Sequence, residues 1–383
     1  MAVNRFTEAQ QEIAASGKKV LDLTVSNPTR AGLAVDLNYA REQITGALVD
    51  PRIADYDPQP KGLLTARQAV RGYYSERHVD VNAESLILTT STSEGYSYIF
   101  RLLCNPGDEV LVPKPSYPLF EFLADLQDVK LVPYPLIYDH GWLIDLPSVE
   151  RAITERTRAI VLVHPNNPTG SYVKAPERAA LNSLCRERNL ALLVDEVFLD
   201  YGLKSAAERT FAANQEALTF TLSGISKISG LPQMKLAWIC VSGPENLTRE
   251  AMARLEVIAD TYLSMSTPIQ FAAGAMIEQR RSIQPALQQR VAANLAELDR
   301  QLTRQKYCVR LHVEGGWYAV LRAPATAPDE DVAIALLREC LVLVHPGHFY
   351  DFPVDGNLVV SLITDEKDFA EGVRRVLGFF ERG

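Results

Sequence analysis

One lysine follows an apolar strand in a position suited to covalent chemistry. Residues 221–227 read TLSGISK, so a strand runs into a Ser/Gly turn that ends in Lys227, and a second lysine, Lys235, comes eight residues later. Lysines at strand ends are most often structural. A partly buried lysine, however, has a lowered pKa and can form a Schiff base with a carbonyl compound. Lys227 is therefore a candidate nucleophile.

Four further polar motifs follow apolar runs. The strand-like run ALLV at 191–194 ends in Asp195 and Glu196, and the motifs TTSTSEG, PKPSYP and PNNPTG occupy 89–95, 113–118 and 165–170. Hydroxyls and free N–H groups at a helix N-terminus can bind a phosphate, and rigid proline loops can present Tyr117 and Asn167 to a ring. Each motif alone also fits an ordinary cap, ion pair, turn or packed loop.

Strand-like and helix-like segments alternate through the middle of the chain. This alternation predicts an α/β fold with a mostly parallel sheet covered on both faces, and ligands of such sheets bind at the carboxyl ends of the strands. The predicted strands are 85–90, 109–112, 159–164, 191–197, 218–222 and 236–241, and the predicted helices are 93–103, 119–127, 147–155 and 176–189.

The C-terminal third has a different pattern. Residues 268–305 are predicted to be a long helical stretch, interrupted or kinked at Pro285. Strands at 317–322, 341–345 and 358–363 and helices at 329–339 and 366–380 complete a smaller α+β unit. We therefore expect an N-terminal segment at 1–38 that joins the small domain or a partner subunit, a large domain at 39–265 and a small domain at 266–383.

Composition excludes several classes of protein. The 383 residues are 47% hydrophobic and 22% charged, with a net charge of −8. This acidic balance disfavours nucleic acid or an anionic membrane as a partner. Neither a signal peptide nor an apolar run long enough to span a bilayer is visible, and five widely spaced cysteines without a CxxC motif are typical of reduced thiols. We expect a cytoplasmic protein, and we assign no metal ligands.

Taken together, the motifs resemble those of the fold-type I, class I/II aminotransferases, which depend on pyridoxal 5′-phosphate (PLP). The resemblance covers essentially the whole chain. Besides the motifs above it includes SNP at 26–28, Tyr56 through Gly62, NPGDE at 105–109 and HPG at 345–347. It implies a large domain with a mostly parallel sheet, a smaller α+β domain, PLP as cofactor and an amino acid and a 2-oxo acid as substrates.

The resemblance also implies a role for individual residues. Lys227 would form the Schiff base and move the substrate's α-proton, and Asp195 would pair with the pyridinium nitrogen. Asn167 would bind the ring 3′-oxygen, and Tyr117 would stack on the ring. The remaining candidates would hold the phosphate, with Tyr56 reaching it from the other subunit of a homodimer: Ser91, Thr92, Ser93, Ser223, Ser226, Lys235 and Tyr56.

The chain departs from the family pattern in three respects, two at the cofactor and one at the substrate. Phe198 stands where a tyrosine usually contacts the 3′-oxygen, so the Schiff base should lose one hydrogen bond. Lys235 replaces an arginine at the phosphate, and Gly224 stands where a phosphate-binding serine is common.

The third departure concerns the substrate. Val359 stands where the family has the arginine that binds the substrate's α-carboxylate. Arg30 is the first replacement candidate and Arg322 the second, although each fits a structural ion pair at least as well. His348 and Tyr350 are candidate substrate contacts, whereas His345 is expected to be structural.

Other activities remain possible on the same residues. A PLP-dependent lyase that cleaves a β-carbon–sulfur bond would use the same Lys227 and Asp195. A non-catalytic PLP-binding regulator is disfavoured because the enzyme fold uses the whole chain. A nicotinamide-dependent dehydrogenase is disfavoured because no GxGxxG opens a helix after the first strand.

Overall fold

A computed structural model describes residues 4–33, 38–203 and 210–382 of the chain. Within these residues the strands are β1 (Leu21–Asp22), β2 (Leu86–Thr89), β3 (Glu109–Lys114), β4 (Lys130–Tyr138), β5 (Trp142–Ile144), β6 (Thr157–Val163), β7 (Ala191–Asp195), β8 (Thr219–Gly224), β9 (Ala237–Ser242), β10 (Val309–Arg310), β11 (Tyr318–Arg322), β12 (Val342–Leu343), β13 (His345–Pro346) and β14 (Asn357–Ser361).

The helices alternate with these strands. They are α1 (Arg5–Ala15), α2 (Asn38–Leu48), α3 (Leu64–Ser75), α4 (Thr92–Leu103), α5 (Phe120–Asp125), α6 (Leu146–Ala152), α7 (Ala175–Arg188), α8 (Ile225–Ile228), α9 (Glu245–Tyr262), α10 (Thr267–Phe271), α11 (Ala273–Glu278), α12 (Arg280–Leu302), α13 (Asp329–Ala335) and α14 (Glu366–Arg382).

The large sheet confirms the predicted α/β class. In the described residues it has eight strands in the order β2-β9-β8-β7-β6-β3-β4-β5. The central pairs β4–β3, β3–β6, β6–β7 and β7–β8 are parallel, whereas β9 and β5 run antiparallel to their neighbours. Apolar side chains from both faces of the sheet pack into separate cores against the helices. The carboxyl ends of β3, β6, β7 and β8 consequently meet at one edge.

A smaller antiparallel sheet belongs to the C-terminal part. Its order within the described residues is β10-β11-β14-β13, and β1 pairs with β12 in a separate parallel ribbon. One core joins Phe6, Ile13 and Leu23 of the N-terminal segment to apolar residues of the C-terminal elements. The N-terminal segment therefore packs on the smaller unit because its apolar side chains complete that unit's core.

The predicted long helix at 268–305 is instead three helices. The breaks fall at Ala272 and Gln279, and α12 continues through Pro285. Helices α10 and α11 pack on α2 and α3 of the large unit, and Ile277 lies in that unit's core, whereas Ile283 lies in the core of the smaller unit. The change from one core to the other thus occurs at the start of α12, later than the predicted boundary at 266.

Two other predictions differ from the structure. No strand was predicted at β4, where Pro133 and Pro135 interrupt the apolar pattern, yet β4 pairs with β3 along six residues. The predicted strand at 341–345 is divided, because β12 joins β1 and β13 joins β14. Tertiary pairing, which the local pattern does not contain, decides both cases.

Candidate active site

A cavity of about 390 Å³ lies at the carboxyl edge of the parallel strands, where the C-terminal unit covers it. Loops after β2, β3, β6, β7 and β8 contribute one side of its lining, and the C-terminal elements and Ser26 contribute the rest. The lining residues are Ser26, Ser91, Thr92, Ser93, Tyr117, Pro118, Val163, Asn167, Asp195, Val197, Phe198, Gly224, Ser226, Lys227, Ala237, Tyr318, His345, Phe349 and Tyr350.

Lys227 reaches the cavity from the short helix α8 that follows β8. At Gly224 a side chain would not fit, because a Cβ there would lie 2.8 Å from the Cβ of Ala237. The Lys227 ammonium donates to the carbonyl of Ser26 (3.1 Å) and lies 4.9 Å from the centre of the Trp317 ring. Burial lowers the pKa of Lys227 to about 8, although the charge of Asp195 acts in the opposite direction.

Asp195 ends strand β7 with its carboxylate in the cavity. Oδ1 accepts from the backbone N–H of Val197 (3.1 Å), and Oδ2 accepts from the hydroxyl of Tyr96 (3.4 Å). Burial raises the pKa of Asp195 to about 6, while these two hydrogen bonds and the charge of Lys227 lower it. The carboxylate is consequently ionised at neutral pH, and it can hold a proton on a basic ring nitrogen.

The neighbouring carboxyl group, that of Glu196, lies on the opposite face of the strand. It accepts from the hydroxyl of Thr210 and from the backbone N–H of Phe211 (2.6 Å). Burial raises the pKa of Glu196 to about 7. Because successive residues of a strand point to opposite faces, only one carboxylate of the Asp-Glu pair enters the cavity.

Asn167 comes from the loop that follows β6. Its side chain is almost fully buried, and its Oδ1 has no hydrogen-bond partner within the described residues. Gly170 closes this loop with a φ of 69°, and a Cβ there would lie 2.3 Å from Val313 and 2.5 Å from the carbonyl of Gly315. The loop is therefore fixed against the C-terminal unit, and it presents a buried amide with unused hydrogen-bonding capacity.

The start of α4 forms the side of the cavity that is suited to binding a phosphate. Ser91 is the N-cap, and its hydroxyl accepts from the N–H of Glu94 (3.2 Å). Ser91, Thr92, Ser93 and, from α8, Ser226 all line the cavity. Hydroxyls beside the N-terminus of a twelve-residue helix favour an anion such as a phosphate.

Two aromatic rings among the predicted site residues also line the cavity. Tyr117 is 41% exposed, and its ring packs edge-on against Phe120. Phe198 is buried against Trp317, with ring centres 5.1 Å apart, and the Lys227 ammonium lies 5.4 Å from its centre. Phe198 thus places an apolar ring in the lining of the cavity near Lys227.

Several predicted site residues do not line this cavity. Ser223 is buried outside it, and its Oγ has no hydrogen-bond partner in the described chain. Lys235 is exposed, and Tyr56, 85% exposed, borders a separate cavity of about 60 Å³. These placements leave Ser91, Thr92, Ser93 and Ser226 as the predicted phosphate contacts that the fold brings together.

Some of the predicted substrate residues line the cavity and others do not. Tyr350 lines the cavity, whereas Arg30, Arg322 and His348 are exposed and lie outside its lining. Arg322 is four residues along β11 from the cavity-lining Tyr318, a distance of roughly 13 Å along a strand. Neither arginine is among the residues that line this cavity.

Several side chains that line the cavity were not predicted as site residues, among them Val163, Tyr318, His345 and Phe349. His345 was expected to be structural, but its Nδ1 lies 2.9 Å from the hydroxyl of Tyr350 and both residues face the cavity. The alternation of β11 could have indicated Tyr318, since it begins the strand that follows the Gly315-Gly316 turn. The HPG motif at 345–347 is a local signal that includes His345.

The donor set fits a cofactor with a phosphate, a basic ring nitrogen and a carbonyl group. A hydroxyl-rich helix N-terminus, a buried carboxylate, an unpaired amide and an amine of lowered pKa share one cavity. PLP carries all three of the complementary groups.

Comparisons with known proteins agree with this donor set. The family described as "Aminotransferase class I and II" matches residues 18–376. The glutamate-pyruvate aminotransferase AlaA of Escherichia coli K12 is 31% identical over 259 residues, which cover 67% of this chain and 63% of that protein. The match therefore spans less than two thirds of that relative. The alanine aminotransferase of Mycobacterium tuberculosis is 27% identical over 382 residues and covers 95% of this chain and 86% of its own.

Solved structures share the fold. The alanine aminotransferase from Pyrococcus furiosus superimposes with a TM-score of 0.88 at 22% identity, over 99% of this chain and 96% of its own. An aminotransferase from Escherichia coli has a TM-score of 0.86 at 24% identity, over 99% and 95% of the two chains. In the described residues, no helix combines the length and apolarity needed to cross a membrane.

Proposed function

The chain belongs to the class I and II aminotransferase family, whose members use pyridoxal 5′-phosphate, and we propose that it transfers an amino group between an amino acid and a 2-oxo acid. One observation carries the proposal. An amine with a pKa of about 8, Lys227, shares a cavity with a buried carboxylate, Asp195, and an unpaired amide, Asn167.

The same residues would hold the cofactor. Ser91, Thr92, Ser93 and Ser226 would bind its phosphate, Asp195 its ring nitrogen and Asn167 its ring oxygen, with Tyr117 against the ring. When bound, PLP supplies a ring that accepts the electron pair released as the bond between Cα and hydrogen breaks.

Lys227 supplies the base. At pH 7 an amine with a pKa of about 8 is neutral in about a tenth of the molecules, whereas the ordinary value of 10.5 leaves only about three in ten thousand neutral. The neutral Nζ can accept the proton from the substrate's Cα and then donate it to a second carbon of the reacting molecule. The Nζ lies 4.9 Å from the centre of the Trp317 ring and 5.4 Å from that of Phe198, so apolar rings surround part of the amine.

Asp195 keeps the ring nitrogen protonated. Its carboxylate is nearly free of solvent, so its charge acts through a medium of low polarity and is strongly felt by a nearby cation. The N–H of Val197 and the hydroxyl of Tyr96 hold both oxygens in place, which stabilises the ionised form. The protein thereby sets the protonation state on which electron withdrawal by the ring depends.

We also propose a homodimer with shared active sites. Tyr56, which the family resemblance places at the phosphate of the other subunit, is 85% exposed in the single chain. Leu48, Val49 and Leu64, from the same part of the chain, are exposed apolar residues as well. Association of two chains through this surface would bury them.

A reducing compartment, the cytoplasm, is the proposed location. The support is that all five cysteines, each of them in the described ranges, are free thiols.

A half-reaction screen tests the activity. The PLP-loaded protein is mixed with single amino acids in the absence of a 2-oxo acid, and absorbance follows conversion of the cofactor from its aldehyde to its amine form. A transaminase converts it stoichiometrically. Lys227→Ala should abolish conversion, and Lys306→Ala, at an exposed position, should leave it unchanged.

Two results would contradict the proposal. One is failure of every common amino acid to convert the cofactor. The other is continuous release of ammonia and a 2-oxo acid from a single amino acid with the cofactor unchanged, which is the outcome expected of a lyase.

A further inference from the structure

The C-terminal unit contributes an uncharged polar wall to the cavity. Tyr318, His345, Phe349 and Tyr350 all line it. Among the lining residues that the structure describes, the charged side chains are Asp195 and Lys227, both already used by the cofactor chemistry proposed above. Among the described residues of this chain, the other polar groups that line the cavity and could contact a substrate carboxylate are neutral.

His345 lies next to Val359, the position at which the family resemblance implies an arginine. In the antiparallel pair of β13 and β14, His345 is directly opposite Val359. Directly opposed residues lie on the same face of a sheet with Cβ atoms about 5 Å apart. Val359 is fully buried and outside the cavity lining, whereas His345 extends to the cavity.

Tyr350 holds the imidazole in place. The hydroxyl of Tyr350 lies 2.9 Å from Nδ1 of His345, and the ring of His345 lies at a tilt to those of Phe349 and Tyr350, with ring centres 6.0 and 5.8 Å apart. Burial lowers the pKa of His345, with the charge of Asp22 acting in the opposite direction, and burial also raises the pKa of Tyr350. The pair is consequently neutral near pH 7, with Nε2 left as the second polar atom of the imidazole.

We propose that His345 and Tyr350 bind the carboxylate of the amino donor as an uncharged pair, in the role that an arginine would otherwise have: the Tyr350 hydroxyl donates to Nδ1 of His345, and the N–H at Nε2 donates to the carboxylate. This inference rests on the proposed function. It also defines a substrate class. A guanidinium strongly prefers a carboxylate to a carboxamide because it pairs with the charge. Neutral donors discriminate weakly between the two groups, so amino-acid amides should be accepted as well as amino acids.

Propionate and propionamide, which lack an amino group and cannot react, are the probes. Their binding to the PLP-loaded protein is measured from the change in cofactor absorbance. The wild-type protein should bind propionamide within about tenfold of propionate. A preference for propionate of a hundredfold or more would overturn the proposal, and this measurement requires no variant.

Two variants test the residues. His345→Leu should weaken propionate binding about tenfold or more, since a hydrogen bond to a charged group is lost, and Tyr350→Phe should also weaken it, since Nδ1 loses the hydroxyl that keeps the imidazole proton on Nε2. Matched controls are Tyr134→Phe, a buried tyrosine that bonds the carbonyl of Val161 outside the cavity, and His312→Gln. Both controls should bind propionate and PLP as the wild type does.

The outcomes separate this inference from the proposed function. Wild-type affinity for propionate in both variants, with normal PLP content, would overturn the assignment of His345 and Tyr350. If the wild-type protein binds propionate but converts no amino acid, the proposed function fails while the carboxylate site stands. The KM for an amino donor should rise in Tyr350→Phe more than kcat falls, because the pair binds the donor and moves no proton.

Discussion

Replacing Lys227 by methionine should stabilise the cofactor-free protein at neutral pH. The side chain of Lys227 is buried among Trp317, Phe198 and the carbonyl of Ser26, and its pKa is about 8 instead of 10.5. At about 1.4 kcal/mol per pH unit, keeping the ammonium in this position costs the fold roughly 3 kcal/mol at pH 7. Methionine has a similar length and no charge.

The net gain should be smaller than the full cost. Methionine cannot donate to the carbonyl of Ser26, so that carbonyl loses the hydrogen bond that it accepts from Lys227. We therefore expect Lys227→Met to increase the free energy of unfolding by about 2 kcal/mol at pH 7.

The difference in stability between the wild type and Lys227→Met should decrease as the pH rises. The pKa of Lys227 is lower in the folded state, so between about pH 8 and 10.5 the unfolded chain binds more protons than the folded chain. The stability of the wild-type protein relative to the variant therefore rises with pH in that range. At pH 10 the destabilisation of the folded state by the ammonium should fall below about 1 kcal/mol.

Urea unfolding of cofactor-free protein at pH 7 and pH 10 measures the stability gain of the variant and its dependence on pH. Absorbance above 300 nm confirms that no cofactor remains. Lys235→Met makes the same chemical change at an exposed position and should alter the free energy of unfolding by less than about 0.5 kcal/mol. A Lys227→Met variant no more stable than the wild type at pH 7, or equally stabilised at both pH values, would refute the reasoning.

Two further changes test the site and its support. Asp195→Asn should lower kcat by two or more orders of magnitude in steady-state assays, since an amide cannot keep the ring nitrogen protonated; retention of a tenth of the activity would argue against this role. Gly170→Ala should cost at least about 2 kcal/mol in urea unfolding, because its φ is 69° and a Cβ would lie 2.3 Å from Val313. Gly46→Ala, in open space on α2, is the control and should be neutral or slightly stabilising.

Much of the fold was predictable from short-range patterns. The apolar runs before Asp195 and Lys227 are continuous and bounded by turn residues, and both became buried strands of the large sheet. The failures occurred where pairing partners are distant in sequence. Pro133 and Pro135 obscured β4, and the segment around Val344 is shared between two sheets. Long-range pairing is not encoded in a local pattern, so such segments were misread.

The candidate site divides in the same way. Lys227, Asp195, Asn167 and Tyr117 follow strands whose carboxyl ends meet at one edge, and the structure places all four in one cavity. By contrast, the sequence offered Arg30 and Arg322 as substrate cations because both lie in segments near family motifs. In the structure both are exposed and neither is among the residues that line the cavity. Nearness to a motif in sequence does not determine where a long side chain ends.

The sequence by itself determined the chemistry of the cofactor side, because the order of motifs along parallel strands specifies which side chains share an edge. The family resemblance also implied that Val359 stands where an arginine is usual. Only the tertiary structure decided what stands there instead. His345 reaches the cavity because β13 pairs with β14 in a register that sets it opposite Val359, and Tyr350 then orients its ring. A register between distant strands depends on how the whole C-terminal core packs, and no local stretch of sequence contains it.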